Sequence, residues 1–344
     1  MKFLNLLLLA IPASIFLQLS GYSPVLLFVA AGLSIIPLAG YMGKATEEIA
    51  LYVGPRVGGL LNATFGNAAE LIITIFALKA GLYEVVKASI TGSIIGNLLL
   101  VLGLSMLLGG FKFKIQKFNR ATAGVHTSML LMAVTGLIIP AVFLQTHTNP
   151  AAEPFSLGVA GVLMLVYVLS LVFSLHTHKD VYRPSLEHAE TPNWSKLKAF
   201  TVLLVATLFV VLESEFLVAG IEPVVKTLGI SELFIGVIVI PIIGNAAEHS
   251  TSVIMALKNK MDISLEIAIG SSTQIALFVA PLLVFLGYFM GQPLDLIFTT
   301  YELVVIIMAT VITAMISMDG RSNWLEGAQL LSAYAIMAIA FLFV

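Results

Sequence analysis

Long apolar segments, separated by short charged or Pro/Gly-rich breaks, dominate the pattern of hydrophobic and polar positions along the chain. Many of these segments reach the ~20 residues that a helix needs to cross a bilayer, and they lack the short alternation of a membrane β-barrel. The pattern therefore predicts an all-α membrane protein with eleven transmembrane helices. Their approximate limits are Phe3–Leu19, Pro24–Gly43, Gly58–Leu78, Tyr83–Gly110, Ala121–Leu144, Phe155–His176, Leu197–Val218, Leu233–Leu257, Ser264–Met290, Leu294–Met318 and Trp324–Val344.

The positions of lysine and arginine test this segmentation. With eleven spans, 14 of the 17 basic residues lie on the side of the N-terminus, and only Lys79, Lys87 and Lys226 lie on the other side. Cytoplasmic segments of membrane proteins carry the excess of Lys and Arg. We therefore expect a cytoplasmic N-terminus and a C-terminus outside, and the compact chain leads us to expect a multi-pass protein of a cell membrane.

Composition agrees with this prediction and narrows the chemistry. The chain is 59% hydrophobic and 10% charged, with a mean hydropathy of +1.04, whereas soluble domains are about a quarter charged. A formal net charge of -2 and the lack of a long basic run give no indication of nucleic-acid binding. The sequence contains no cysteine, which excludes disulfides, thiolate metal sites and cysteine nucleophiles.

One pentapeptide occurs twice, as Gly66-Asn67-Ala68-Ala69-Glu70 and as Gly244-Asn245-Ala246-Ala247-Glu248. The same offset of 178 residues matches Gly92-Ser93 with Gly270-Ser271. A repeat with an odd number of spans enters the membrane inverted in its second copy, which is a transporter design with its substrate site near the midplane. The predicted organisation is a first transmembrane helix (1–22), repeat 1 with spans two to six (23–178), a cytoplasmic linker (179–196) and repeat 2 with spans seven to eleven (197–344).

Glu70 and Glu248 are the two acidic residues predicted to lie near mid-depth in a span. A charged carboxylate there costs roughly 3 kcal/mol or more, so it needs a proton, a cation or a basic partner. No lysine or arginine lies at a comparable depth in any predicted span. The compensating charge is therefore expected to be a bound cation or a proton, although two protonated residues that only hold helices together remain the alternative.

Further oxygen ligands surround the two glutamates. Asn67 and Asn245 precede them by three residues, and Thr74 and Ser252 follow them by four, so an unbroken helix would present each set on one face. Four glycines are expected to let the helices approach closely: Gly66, Gly92, Gly244 and Gly270. Hydroxyls, however, often bond only to the preceding turn of their own helix. The helix that follows each motif carries another polar cluster, with Ser93 and Asn97 in one and Ser271, Ser272, Thr273 and Gln274 in the other.

An all-oxygen ligand set of this kind suits Ca²⁺ better than zinc or copper. Two carboxylates balance one divalent ion or two protons, so Ca²⁺ and H⁺ are expected to compete for the pair Glu70 and Glu248 in a secondary active transporter that works by alternating access. A Mn²⁺-preferring or Na⁺-coupled exchanger and a cation channel stay open as alternatives. No enzyme activity and no cofactor are expected; the expected partners are Ca²⁺, H⁺ and the lipid bilayer, and homo-oligomerisation is left open.

At these residues the sequence resembles the calcium/cation–proton exchanger family, a branch of the cation/calcium exchanger superfamily. The resemblance extends from Gly40 through Trp324, and Gly66–Ile72 and Gly244–His249 carry it. It implies eleven helices with an acidic link between spans six and seven. It also implies that Glu70 and Glu248 bind the cation and protons, with contributions from Asn67, Asn245, Ser93, Asn97, Ser271 and Gln274. The link here mixes acidic with basic residues, so a strongly acidic regulatory helix is not expected. Sodium/calcium relatives carry Ser/Thr-rich motifs ending in Pro-Glu or Pro-Asp instead, a difference that favours protons as the counter-ion.

Other titratable residues are secondary candidates. His249 adjoins Glu248 and is expected either to pass protons or to be a neutral histidine bonded to a neighbouring helix. Glu47 and Glu215 are related by the repeat, and they could form gates or proton relays, one toward each membrane face. Glu48 and Glu213, which lie beside them, are expected at the membrane interface.

Overall fold

The computed structural model describes residues 5–146, 152–178 and 191–344. The first part of the predicted linker, residues 179–190, lies outside the described residues. In chain order the helices are α1 (Ala10–Ser20, after a 3₁₀ turn at Leu7–Leu9), α2 (Pro24–Val53), α3 (Pro55–Phe65), α4 (Ala68–Lys79), α5 (Tyr83–Phe113), α6 (Arg120–Thr146), α7 (Ala152–Thr177), α8 (Lys196–Ala219), α9 (Ile221–Leu228), α10 (Glu232–Gly244), α11 (Ala246–Leu257), α12 (Met261–Phe289), α13 (Thr300–Ser317) and α14 (Trp324–Leu342). Two short strands, β1 (Ile115–Lys117) and β2 (Arg321–Asn323), complete the described elements.

Eight of the described helices are long and apolar enough to cross a membrane, and the bent pair α10 and α11 makes a ninth span when counted as one. The eight are α2, α5, α6, α7, α8, α12, α13 and α14. These lengths and compositions bear out the prediction of a helical, multi-spanning membrane protein.

The chain forms two compact units, one from Met1–Val86 with Ser185–Ala247 and one from Lys87–Pro184 with Glu248–Phe343. Each unit therefore combines segments from both predicted repeats. The division of the sequence into repeats at 23–178 and 197–344 stays a prediction.

In the first unit, α2 and α8 pack along their lengths, and α4 packs against both. Small side chains allow this close packing: Ala39, Ala68, Ala69 and Ala206 lie in one buried cluster with Met42 and its apolar neighbours. The helix α2 begins after the Ser23 cap with proline at its first position, an arrangement that suits helix starts. It ends before Gly54, whose φ of 83° suits glycine.

Helix α2 continues ten residues beyond the predicted limit at Gly43, through Val53. The polar stretch that ended the predicted span is helical, because Lys and Glu are good helix formers. Glu48 is buried and accepts hydrogen bonds from the backbone N–H groups of Asn193 and Trp194, at 2.8 and 3.0 Å. Glu48 is therefore enclosed by protein, and its expected position at the membrane interface stays a prediction.

In the second unit, α5 packs against α14 through glycines. A Cβ on Gly327 would lie 2.3 Å from the Leu107 nitrogen, so only glycine permits this contact.

The strands β1 and β2 pair antiparallel, with Ile115, Gln116 and Lys117 opposite Asn323, Ser322 and Arg321. The loops that follow the predicted fourth and tenth spans therefore meet at one end of this unit.

The start of α13 differs from the predicted span Leu294–Met318. The helix begins at Thr300 with a capping box, in which Thr299 and Glu302 bond each other's backbone N–H. Residues 292–299 before it form neither helix nor strand, and Leu294, Leu296 and Phe298 are buried at every second position. This period of two is typical of extended backbone, and a hydropathy window does not distinguish it from a helix.

Candidate functional site

The first motif lies at a break between two helices. Helix α3 ends at Phe65, and α4 begins at Ala68 after Asn67, whose φ of -100° and ψ of 22° are not helical. A Cβ on Gly66 would lie 2.7 Å from the Asn62 carbonyl oxygen, which explains the glycine at this position. The predicted unbroken helix through Asn67 and Thr74 is therefore wrong, and Glu70 lies in the first turn of α4.

The second motif repeats this local backbone. Helix α10 ends at Gly244, and Asn245 has a φ of -91° and a ψ of 14°. The backbone N–H and the side-chain Nδ2 of Asn245 both donate to the carbonyl of Pro241, at 2.9 and 3.1 Å. Helix α11 begins at Ala246 and holds Glu248 in its first turn. Both glutamates thus follow an asparagine break by three residues.

Glu70 is packed within the first unit. Its side chain is 3% exposed, and a Cβ on Gly244 would lie 2.6 Å from its Cγ. Gly244 therefore allows α10 to contact this carboxylate stem. The Thr74 hydroxyl donates to the Glu70 carbonyl at 2.8 Å, so the backbone of its own helix satisfies this donor. This bond to the helix backbone favours a structural role for Thr74.

Glu248 lies at the start of the second unit and is half-buried. Ser252, one turn later on α11, contacts the Ser264 hydroxyl at 2.8 Å and the Ser105 hydroxyl at 3.0 Å. This buried hydroxyl cluster joins α11 to α12 and α5. His249 is half-buried, and its Nε2 atom has no hydrogen-bond partner among the described residues.

The other predicted polar cluster lies on α5 and α12, within the second unit. Ser93, Asn97 and Ser271 are buried, and Gln274 is half-buried. Asn97 lies in a π-helical turn at Gly96–Val101, and a second π-helical turn follows Gln274 at Ile275–Val279. The two turns correspond at the repeat offset, and such turns are frequent at functional sites.

A hydrogen bond between these two helices links equivalent positions of the repeat. The Ser272 hydroxyl donates to the Ile94 carbonyl at 3.2 Å, and the two residues are 178 positions apart. Residues at equivalent positions of two repeats contact each other where they lie close to an approximate two-fold axis. The predicted close approach at Gly270 is wrong, however, because nothing lies within 4 Å of where its Cβ would be.

The predicted gating residues Glu47 and Glu215 are both exposed. Glu215, on α8, lines a cavity of about 490 Å³ in the first unit together with Glu222 and Lys79. Glu213, two residues earlier, is fully buried and accepts a hydrogen bond from the Ser14 hydroxyl at 2.7 Å. Glu213 is therefore enclosed by protein, and its expected position at the membrane interface stays a prediction.

Glu302 is a buried acidic residue that the sequence analysis did not single out. Its carboxylate accepts bonds from the hydroxyls of Thr91 and Thr299 and from the Thr299 backbone N–H, at 3.2, 2.9 and 2.9 Å. The spacing Thr299-x-x-Glu302 is a capping-box signature that could have marked it. Lys87 lies in the same region and contacts Asp295 at 3.1 Å.

No group of three or more histidine, aspartate or glutamate side chains that could hold a metal ion occurs in residues 5–146, 152–178 and 191–344. The donors available beside Glu70 and Glu248 are amide, hydroxyl and carbonyl oxygens. Oxygen donors of this kind suit hard cations such as Ca²⁺.

Comparison with known proteins shows which family this chain resembles. The chain matches the family described as sodium/calcium exchanger protein over residues 23–176 and 198–343. It is 48% identical over 362 residues to the Ca(2+)/H(+) antiporter of Synechocystis sp., covering 99% of this chain and 97% of that protein. It is also 48% identical over 344 residues to the Ca(2+)/H(+) antiporter ChaA of Bacillus subtilis, covering 98% of each.

Solved structures give the same result. The structure of native YfkE superposes with a TM-score of 0.89 at 45% identity, covering 99% of this chain and 100% of that one. The H+/Ca2+ exchanger CAX has a TM-score of 0.78 at 15% identity, covering 99% of this chain and 92% of that one, which shows a shared fold. The chain therefore belongs to the sodium/calcium exchanger protein family, and within it to the calcium/cation–proton exchangers that its two Gly-Asn-Ala-Ala-Glu motifs resemble.

Proposed function

We propose that this protein exchanges Ca²⁺ for H⁺ across a cell membrane as a secondary active transporter. The observation that carries the proposal is the duplicated broken helix, which puts a glutamate in the first turn after each asparagine break. Relatives named Ca(2+)/H(+) antiporter that are 48% identical over nearly their whole length give the substrate and counter-ion.

The proposed topology has eleven spans, a first helix followed by two inverted five-helix repeats. The eight long helices and the bent pair α10–α11 give nine. The broken pair α3–α4 and the short apolar helix at Leu7–Ser20 supply the other two. The bias of Lys and Arg supports a cytoplasmic N-terminus and a C-terminus outside.

In the proposed mechanism, one Ca²⁺ or two protons neutralise the carboxylates of Glu70 and Glu248. Asn67, Asn245 and the groups on α5 and α12 would complete the oxygen shell, which suits the six to eight ligands that Ca²⁺ takes. A helix N-terminus carries about half a positive charge. Each glutamate lies in the first turn of its helix, so this partial charge stabilises the carboxylate when no cation is bound. The repeat supports an equivalent role for both residues.

Proton access is proposed to involve His249, Glu47 and Glu215. The buried Nε2 atom of His249 adjoins Glu248 in sequence and is an available proton acceptor or donor. Glu215 lines the cavity of the first unit, and Glu47 is exposed near the end of α2, so both carboxylates are open to ions. We propose no resident cofactor and no covalent chemistry, since the similar proteins are transporters.

A sodium-coupled exchanger is the second candidate, because the matching family is described as sodium/calcium exchanger protein. The motifs favour protons, since both copies read Gly-Asn-Ala-Ala-Glu and not a Ser/Thr-rich segment ending in Pro-Glu or Pro-Asp. Coupling-ion assays separate the two candidates directly.

The test is uptake of radiolabelled Ca²⁺ into proteoliposomes under an imposed pH gradient, with a Na⁺ gradient in parallel. Wild type should follow the pH gradient, and Glu70→Gln and Glu248→Gln should each abolish uptake, because one carboxylate cannot balance a divalent ion. Glu153→Gln, which neutralises an exposed carboxylate in the first turn of α7, is the matched control and should transport normally. Uptake that follows only the Na⁺ gradient would show that Na⁺, and not H⁺, is the coupling ion. Full activity in both glutamine variants would refute the shared site.

A further inference from the structure

The strands β1 and β2 join helix ends at one end of the second unit and carry an unusual arrangement of charge. Lys117 lies directly opposite Arg321 in the antiparallel pair, so the two cationic side chains share one face. Like charges in directly opposed positions are destabilising. Together with Lys114 and Arg120 they form what we call the basic ribbon, and all four residues are exposed.

Within the part of the chain that the structure describes, none of the four residues of the basic ribbon takes part in an ion pair. The carboxylates closest in sequence or fold are directed to the backbone. Asp319 accepts from the Arg321 N–H, Glu326 from the Asn323 N–H, and Asp262 from the Asn119 N–H.

The other face of the ribbon fixes it to the protein. Gln116 and Ser322 are each 1% exposed. The Gln116 side-chain nitrogen donates to the Ala256 carbonyl at 2.8 Å and to the Asn259 side chain at 3.1 Å. Because the inner face is anchored in this way, the cations on the outer face cannot separate by a rotation of the strands. An anion from outside the chain would relieve their repulsion.

The backbone directly before β1 is strained. Lys114 has a φ of 60° and a ψ of -59°, a conformation that residues other than glycine rarely adopt. Strained conformations of this kind persist where the surroundings fix them, and they cluster at ligand-binding positions.

Apolar and aromatic side chains border the ribbon. Ile115 is 57% exposed, and Phe111 and Trp324 are stacked with ring centroids 5.8 Å apart while remaining 65% and 47% exposed. Exposed aromatic side chains at the ends of transmembrane helices are typical of the membrane–water boundary. A cationic surface at that depth meets lipid headgroups, not bulk solvent.

We infer that the basic ribbon is a binding site for the phosphate of an anionic membrane phospholipid. A phosphodiester anion placed between Lys117 and Arg321 would relieve their repulsion, and Lys114 and Arg120 are exposed just before and after β1. Arginine and lysine are the side chains that bind phosphate, and the exposed apolar neighbours would contact the acyl chains. The site is separate from the proposed cation site, and it assigns a role to a surface that ion exchange does not use.

The test measures retention of phosphatidylglycerol and phosphatidylcholine on the purified full-length protein by native mass spectrometry. Wild type should retain phosphatidylglycerol selectively. Each basic residue near an anionic surface contributes about a fivefold gain in binding, so the double variant K117Q/R321Q should bind phosphatidylglycerol roughly 30-fold more weakly. The variant K117R/R321K keeps both charges and should retain the lipid.

The control variant K44Q/K198Q removes two basic residues from the predicted cytoplasmic side of the first unit, where both stack on Trp194. Equal loss of lipid in K44Q/K198Q and K117Q/R321Q would overturn the site, because general surface charge would then explain binding. Unchanged retention in K117Q/R321Q would also overturn it. Displacement of the lipid by excess inorganic phosphate would reassign the site to a soluble anion. Thermal unfolding of K117Q/R321Q in neutral detergent, expected at or above the wild-type midpoint because the substitutions remove the repulsion, excludes misfolding.

Discussion

Replacing Gly244 with alanine tests whether helix packing positions Glu70 for transport. A Cβ on Gly244 would lie 2.6 Å from the Glu70 Cγ, whereas carbon atoms in contact lie roughly 3.5–4.0 Å apart. The two groups must therefore separate by about 1 Å. The atom that clashes is in the middle of the glutamate side chain, so α10 or the carboxylate has to move.

The expected effect of Gly244→Ala is a large loss of transport with a small loss of stability. Misplacing a reacting group by about 1 Å can lower a rate by about 100-fold, and we expect a loss of up to that size in Ca²⁺ uptake at limiting Ca²⁺. Overpacking costs about 1–3 kcal/mol, and the gain in helix propensity from glycine to alanine offsets up to about 1 kcal/mol. The φ of Gly244 is not positive, so alanine fits the backbone.

The assay compares Ca²⁺ uptake and thermal unfolding for wild type, Gly244→Ala and Gly270→Ala. Gly270 lies on the membrane helix α12 with nothing within 4 Å of its Cβ position, so it controls for the same substitution without a clash. We expect Gly270→Ala to transport normally. Wild-type Ca²⁺ dependence in Gly244→Ala would refute the reasoning, because Glu70 would then function without the spacing that glycine provides.

Two further predictions concern residues assigned a structural role. Thr74→Val should leave Ca²⁺ affinity within about twofold of wild type, because the Thr74 hydroxyl bonds the Glu70 carbonyl of its own helix; a tenfold loss of affinity would make Thr74 a ligand after all. Thr299→Ala removes the cap of α13 and a bond to the buried Glu302, so it should lower the free energy of unfolding by about 1 kcal/mol without changing the Ca²⁺ dependence of transport. Thr299→Ser keeps the hydroxyl and should restore stability, and an unaffected thermal midpoint in Thr299→Ala would contradict the capping role.

The membrane class of the chain and the duplicated glutamate motif could be predicted from sequence because both depend on strong signals. A stretch of about 20 apolar residues has few folded alternatives to a spanning helix. A repeated asparagine and glutamate within apolar segments is a second strong signal, because such residues are rare inside membrane spans. Ser93, Asn97 and Ser271 are buried, as residues of a membrane interior should be, and their role as ligands stays a prediction.

The helix breaks at Asn67 and Asn245 could not be predicted in this way. The intrinsic preference against helix at a single Gly or Asn is below about 1 kcal/mol, which is too small to end a helix without tertiary contacts. The Asn245 bonds to the Pro241 carbonyl and the contact of Gly244 with Glu70 are such contacts. Hydropathy windows average over these local events and therefore see one continuous span.

The burial of Glu48, Glu213 and Glu302 was missed for a related reason. Each carboxylate is satisfied by a partner distant in sequence or by a cap: backbone N–H groups at Asn193 and Trp194, the Ser14 hydroxyl, and the Thr91 and Thr299 hydroxyls. A sequence reveals the position of a carboxylate but not a partner that arrives through folding. The exception is the local capping box of Glu302, which its spacing could have indicated.

The broken helices also bear on why exchange would be obligatory under the proposed mechanism. An ionised carboxylate within the membrane costs roughly 3 kcal/mol or more. A helix N-terminus stabilises such a carboxylate by about 0.3–1 kcal/mol, or by up to about 2 kcal/mol when it is partly buried. The first-turn positions of Glu70 and Glu248 therefore reduce the cost of each charge without removing it. The remaining cost has to be offset by Ca²⁺ or by protons. An empty, doubly charged site would then be the least stable state during the change of access, so the carrier would change access only when loaded with one of its two substrates.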